Sequence, residues 1–384
     1  MAPTNNAYRA LELQLTRRSL VGAGLAIAAS GVGLHASRRA DAATGRLLFA
    51  GVNLAGGEFG KLPGTYGTDY TYPAPADIDY YVKLGFNLIR VPFRWERLQP
   101  NLGAPFELGD QALLVAAVDY AASRGLHVVL DTHNYARRRL ADDGWAADHL
   151  IGSKLVPTAA FADYCARLAG VFKRTPLVIF GLMNEPWGIE PEDWLIIVNA
   201  AIAALRGEEA SQLVLVPGVA YSGAHSWITA RNTVMSKLED PAHNFAFEVH
   251  QYFDPDSSGT SPTAVKGGIG SERIEDFQRW CRQNGFKAFL GEFAAGGDAT
   301  SLAALNDICR TLEVNSDVWL GWAAWAGGSW WPADYIFTLE PSKSRRMRPQ
   351  TEILAKFARH KQSIVTDHGR TAAPRARWRV PGSR

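Results

Sequence analysis

Val178-Ile179-Phe180-Gly181-Leu182-Met183-Asn184-Glu185-Pro186 is a short apolar run that ends abruptly on a carboxylate. Its β-branched and aromatic residues read as a strand buried on both faces. Pro186 cannot donate to a sheet ladder, and it bars Glu185 from the helical region, so the strand must stop there. The sequence thus predicts a glutamate at a strand's C-terminal end, beside the amide of Asn184. Ala288-Phe289-Leu290-Gly291-Glu292-Phe293 repeats the arrangement and ends on Glu292. A carboxylate is costly to bury without a partner or a task, so two at strand tips call for a chemical reason.

Working outward, the chain alternates strand and helix patterns. The strand-like runs are Leu47–Asn53, Asn87–Pro92, His127–Asp131, Leu177–Met183, Leu213–Pro217, Phe245–His250, Ala288–Glu292 and Trp319–Trp325. Helical periodicity fills the intervals at Ala76–Leu84, Gly109–Arg124, Thr158–Phe172, Pro191–Arg206, Ile274–Gln283 and Ser301–Asn315. The interval near Ser226 carries only a short, ill-defined helical pattern, and Thr351–Arg359 follows the last strand. Gly85, Gly125 and Gly285 stand between a helix and the next strand, where a left-handed residue closes a helix. Eight such units point to an α/β fold, a (β/α)8 TIM barrel forming a single catalytic domain. A doubly wound open sheet fits less well, because no glycine-rich phosphate loop follows the first strand.

The ends of the chain read differently. Thr16-Arg17-Arg18-Ser19 precedes an apolar Ala/Gly-rich run from Leu20 to Leu34, and Ala40-Asp41-Ala42 offers a small-x-small cleavage pattern. Residues 1–42 therefore resemble a twin-arginine signal peptide, and the protein is expected to be exported in the folded state. The catalytic domain is expected over 43–360. Residues 361–384, with Arg370, Arg375, Arg377 and Arg379 among small residues, read as a basic, disordered tail. A net charge of +2 gives no reason to expect a nucleic-acid partner. No later segment is apolar enough to span a bilayer, so no stable membrane partner is expected, and the chain is taken as a monomer. Cys165, Cys281 and Cys309 cannot all pair within one molecule; a Cys281–Cys309 bridge and buried thiols are both open.

A (β/α)8 barrel gathers its strand ends on one face, and the active site lies there. The residues expected on that face are Arg90, His133, Asn134, Asn184, Glu185, His250, Tyr252, Glu292 and Trp325. Each alone has a bland structural reading, but two carboxyls ringed by donors and an aromatic floor suit glycosidic cleavage. That chemistry needs one protonated carboxyl and one ionised carboxyl. Arg90 and Tyr252 would keep Glu292 ionised, Asn184 would bond a sugar hydroxyl, and His133 and His250 would fix their neighbours. Trp325 would stack on the sugar, and the 12 Trp of the chain supply further flat surfaces. The histidines sit on separate strands without ligand-like spacing, so neither a metal nor an organic cofactor is expected.

The same residues resemble a known family, the glycoside hydrolase family 5 cellulases, and in particular the fungal-type endo-β-1,4-glucanases. The similarity runs through Phe49-Ala50-Gly51-Val52-Asn53-Leu54-Ala55-Gly56, Arg90-Val91-Pro92, Asp131-Thr132-His133-Asn134-Tyr135-Ala136-Arg137 and Met183-Asn184-Glu185-Pro186. It continues in His250-Gln251-Tyr252-Phe253-Asp254, Ser258-Gly259-Thr260, Gly291-Glu292-Phe293 and Asn315-Ser316-Asp317-Val318. The resemblance implies a retaining endoglucanase acting on a β-glucan polysaccharide, and the N-terminal segment implies that it is secreted. Glu185 would be acid/base and Glu292 nucleophile, supported by Arg90, His133, Asn184, His250 and Tyr252, with Asn134 and Trp325 binding substrate. Without a cellulose-binding module or a Ser/Thr/Pro-rich linker, soluble or amorphous glucan is the expected substrate. A mannanase, mixed-linkage glucanase or xyloglucanase could use the same set, as could a non-catalytic sugar-binding barrel that kept the groove.

Overall fold

The computed structural model describes residues 46–341, 344 and 346–359. The expected signal peptide and basic tail lie outside the described residues.

Eight parallel strands close into a barrel. They are β1 (Phe49–Leu54), β2 (Leu88–Phe93), β3 (His127–Thr132), β4 (Val178–Gly181), β5 (Val214–Pro217), β6 (Phe245–His250), β7 (Ala288–Glu292) and β8 (Trp319–Gly327). Each pairs with its sequence neighbours, and β1 pairs with β8 to close the ring. Seven longer helices lie in the connections or after the last strand: α1 (Pro75–Leu84), α2 (Leu108–Ser123), α3 (Thr158–Phe172), α4 (Pro191–Gly207), α5 (Ile269–Asn284), α6 (Ala299–Val314) and α7 (Pro349–Arg359). Gly85 and Gly285 close α1 and α5 in the left-handed region, at φ 96° and 71°. Among the described residues, no helix is long and apolar enough to cross a membrane.

One connection departs from the expected pattern. Between β5 and β6 the chain makes turns and a 3-10 segment, Asn232–Lys237, in place of an α-helix. Ala220, Tyr221 and Ser222 all take positive φ there, which no helix tolerates. Trp227 fills the space a helix would occupy, packing on Phe247, Phe277 and Trp280.

The barrel interior explains how the site is placed. Phe49, Leu88, Val129, Ile179, Leu215, Ala246, Phe289 and Ala323 form one apolar cluster, with a single residue from each strand. This layer plugs the barrel, as in (β/α)8 folds generally. Side chains alternate along a strand, so residues two positions further on face the same interior. On β2, β3 and β6 those residues are Arg90, Asp131 and Glu248, and all three are buried. A charged layer therefore sits directly on the apolar plug and forms the floor of the open end. The three cysteines are buried thiols, and no bridge joins Cys281 to Cys309.

Candidate active site

The floor is organised by Arg90. Its Nη1 donates to Asn53 Oδ1 at 2.8 Å and to Glu292 Oε1 at 2.9 Å, while Nη2 donates to Asn184 Oδ1 at 2.9 Å. Asp131 Oδ2 lies 3.1 Å from Nη1, and Glu248 Oε1 lies 2.9 Å from Nε. The Glu248 contact is an ion pair whose N–H is not aligned as a hydrogen bond, since neither atom has a bonded partner. A planar guanidinium suits this task because its donors form a rigid fork that reaches several acceptors at once. Asn53 completes the anchoring, its Nδ2 donating to the carbonyls of Gly291 and Ala323.

Glu292 ends β7 as expected and is buried. Its second oxygen accepts from the Tyr252 hydroxyl at 2.9 Å. Glu185 arrives differently. Strand β4 ends at Gly181, four residues before it, although the chain keeps bonding to both neighbours through Leu182 N–H to Leu215 O and Asn184 N–H to Thr132 O. Glu185 itself takes φ 43°, a left-handed conformation uncommon outside glycine. The glutamate is thus presented from a turn beyond the strand rather than from its tip. Strain of this kind persists where surrounding structure holds it, and it clusters at functional sites.

The two carboxyls meet. Oxygens of Glu185 and Glu292 and a ring nitrogen of His250 all lie within 4.8 Å of one another. His250 Nδ1 is 2.7 Å from Glu185 Oε1 and 3.6 Å from Glu292 Oε2, and Nε2 is 3.7 Å from Glu248 Oε1. Burial alone would lower the pKa of the His250 imidazolium; Glu292, Glu185 and Glu248 outweigh it and push it up to about 10. Burial raises the pKa of Glu292, the charges of His250 and Arg90 oppose that, and Glu185 pushes it up again. The net direction for Glu292 is upward, with burial as the largest cause.

His133 and Trp325 form a wall beside this pair. Their rings stack with centroids 6.0 Å apart at 25°. His133 Nδ1 is bound to Asp131 at 2.7 Å, and Nε2 lies 3.2 Å from the Tyr135 hydroxyl. Burial opposes the charge on His133, but Asp131 more than compensates and raises its pKa. Trp325 donates from Nε1 to Tyr335 at 2.8 Å, which fixes the plane of the indole. Further out, the exposed Trp187 stacks on Tyr221 at 5.9 Å, with the Arg137 guanidinium over its ring.

Arg90, Asn184, Glu185, His250, Tyr252 and Glu292 therefore share one network of hydrogen bonds and ion pairs, with His133 and Trp325 against it. Asn134 does not join it. Its Oδ1 accepts from Trp95 N at 2.9 Å and its Nδ2 donates to Glu96 at 2.7 Å, so the amide is spent holding the short helix Trp95–Leu98. Asn53, Asp131 and Glu248 belong to the network although strand-end reasoning passed over them. Strand alternation could have found Glu248, which lies two residues before His250 on the same face.

The chain matches the family model described as cellulase (glycosyl hydrolase family 5) over residues 45–328. Endo-β-1,4-glucanase B of Aspergillus niger is 36% identical over 309 residues, covering 80% of this chain and 89% of that protein. Endoglucanase gh5-1 of Neurospora crassa is 38% identical over 303 residues, 78% of this chain and 74% of that one. Among solved structures, an endo-β-1,4-glucanase from Xanthomonas axonopodis pv. citri is 42% identical with a TM-score of 0.78, covering 82% of this chain and 99% of that one. Fold, site and similarity agree: the chain belongs to the cellulases of glycosyl hydrolase family 5.

Proposed function

We propose that the protein is an endo-β-1,4-glucanase that cleaves internal bonds of soluble or amorphous β-glucan by double displacement. The observation that carries this reading is the Glu185–Glu292 approach to within 4.8 Å between carboxylate oxygens. Retaining glycosidases hold their carboxyls about 5–5.5 Å apart, whereas inverting enzymes leave roughly 6.5–9.5 Å for a water.

The roles follow from the partners. Glu292 accepts from Arg90, which is always charged, and from the Tyr252 hydroxyl. These donors favour its ionised form, so Glu292 attacks the anomeric carbon. That leaves Glu185 as the acid/base: it is the more exposed of the pair, on the side from which a departing glycosidic oxygen can be reached, and it hands that oxygen a proton. In the second half, Glu185 takes a proton from water as that water attacks C1, and the Glu292 ester breaks. Asn184 keeps its Nδ2 buried without a partner, a donor placed for a sugar 2-hydroxyl. Such a contact strengthens as charge develops at C1. Trp325 offers the stacking surface at the cleaved unit, and the Trp187–Tyr221 pair offers a second one beyond Glu185.

The reading includes export through the twin-arginine-type segment 1–42, with residues 43–360 as the catalytic domain and 361–384 as a basic tail. The test is reducing-sugar release from carboxymethylcellulose, mixed-linkage β-glucan, glucomannan, mannan and xyloglucan, with product sizing. Random internal cleavage of β-1,4-glucan, abolished in Glu292→Gln, is expected. Dominant release from mannan would overturn the substrate, undiminished release by Glu292→Gln would overturn the nucleophile, and no release by the wild type on any of the five would point to a binding barrel.

A further inference from the structure

Beyond the catalytic cluster, the same face holds a cavity of about 390 Å³ lined by Glu58, Lys61, Arg94, Arg139 and Trp145 among others. Sites for small ligands usually span ~300–1,000 Å³. Its walls come from the loops after β1, β2 and β3. Arg94 Nη1 donates to the His133 carbonyl at 3.2 Å, so the cavity begins at the wall that flanks the two glutamates.

Three of its lining side chains are cations, each from a different loop. The Lys61 ammonium is 77% exposed and only loosely paired, 3.8 Å from Asp69. Arg94 Nε is 3.5 Å from Glu96, and Arg139 Nε donates to Asp148 at 2.9 Å. Among the described residues, Nη2 of Arg94 and of Arg139 makes no hydrogen bond. The one acid in the lining is Glu58, which is buried. Its Oε2 accepts from Gly56 N–H at 2.7 Å, while Oε1 is buried with no partner. Burial pushes its pKa up to about 7, against the opposing pull of His133 and the Gly56 amide. Below that pH the proton belongs on Oε1, because Oε2 is already an acceptor. The cavity then presents the Lys61 ammonium and unused guanidinium N–H groups, with its one lining acid neutral. That donor set fits an anion with several acceptor oxygens.

We propose that this cavity receives a carboxylate carried on the β-glucan chain close to the cleavage point, so that the enzyme takes acidic glucans as well as neutral ones. Trp145 supplies the apolar edge for the sugar that bears it. The assignment rests on the glucanase reading and adds a charge preference to it.

The test compares wild type with the Lys61→Gln, Arg139→Gln double variant on carboxymethylcellulose, C6-oxidised cellulose and neutral cellopentaose, near pH 6. Two partly screened charge contacts predict that the acidic-to-neutral ratio of kcat/KM falls about threefold to tenfold in the variant. The wild-type ratio should fall comparably in about 0.5 M salt. A fall confined to one acidic substrate supports the proposal and locates the carboxylate, on C6 or on a substituent. An unchanged ratio, in the variant or across salt, overturns it; so does an equal loss on all three substrates, which marks a neutral glucosyl subsite. A wild type inactive on cellopentaose would instead sink the glucanase reading.

Glu58→Gln adds a second readout. Glu58 faces His133 and Asp131 from the β3 side and Lys61, Arg94 and Arg139 across the cavity. Its ionisation between about pH 6 and 8 should lower the wild-type ratio, and the glutamine variant should not show that drop. An equal drop in both proteins contradicts the role given to Glu58.

Discussion

Gly291 and Glu248 face each other across the β6–β7 boundary so closely that a Cβ on Gly291 would lie 2.8 Å from Glu248 Cγ and Cδ, and nearer still to Oε1. Glu248 cannot simply swing aside, because it is buried and its carboxylate is paired with Arg90 Nε. Gly291→Ala should therefore displace Glu248, then Arg90, then the Glu292 carboxyl that Arg90 holds. We expect a stability loss of about 1–3 kcal/mol by overpacking and a kcat at least tenfold lower. Thermal unfolding and steady-state kinetics check it; wild-type kcat would show that the charged floor does not position Glu292.

Arg90→Lys keeps the charge and removes the fork. One ammonium cannot serve Asn53, Asn184 and Glu292 in the geometry that the guanidinium uses. Buried carboxylates left without their partner cost about 3–5 kcal/mol. Denaturant unfolding should show a loss of that order, and kcat should fall about a hundredfold. A fully active lysine variant would mean that charge alone is what matters at this position.

His250 makes stability depend on alkaline pH. Its folded pKa, about 10, stands above the 6.5 of an ordinary exposed imidazole, the value it takes in the unfolded chain. A raised pKa contributes stability that is complete below the unfolded value and lost as pH rises through the folded value. The wild-type Tm should therefore decline between about pH 6.5 and 10 more steeply than that of His250→Gln. Parallel Tm curves for the two proteins would show that the imidazolium is not stabilised by its three carboxylate neighbours.

Asn184→Ala tests the unpartnered amide donor. On an aryl cellobioside, kcat/KM should fall about tenfold to a hundredfold, while the 2-deoxy analogue, which lacks the hydroxyl, should lose far less. Equal losses on both substrates would assign Asn184 to holding Arg90 alone.

What could be read from the chain, and what could not, divides along a physical line. Glu185 and Glu292 announced themselves, because apolar runs that stop on a carboxylate are conspicuous, although only Glu292 ends its strand. The barrel followed from helix-strand alternation, in which Gly85 and Gly285 take the left-handed conformation expected of them. Glu248 was hidden because it lies inside an apolar strand, where a charge is legible only once Arg90 is known to stand opposite. Asn134 also sits among strand-end residues, and its amide is directed at Trp95 and Glu96, partners that only the folded chain brings to it. The turns after β5 were unreadable because side-chain packing around Trp227, rather than periodicity, shapes that connection.

The central claim is that Glu185 and Glu292 cooperate at the short separation of a retaining glycosidase, so that the bond is cleaved through an ester on Glu292. Proton NMR of a cello-oligosaccharide digest, recorded before mutarotation, reads this directly. The account predicts that the first-formed reducing end is the β-anomer; an α-anomer appearing first would contradict it.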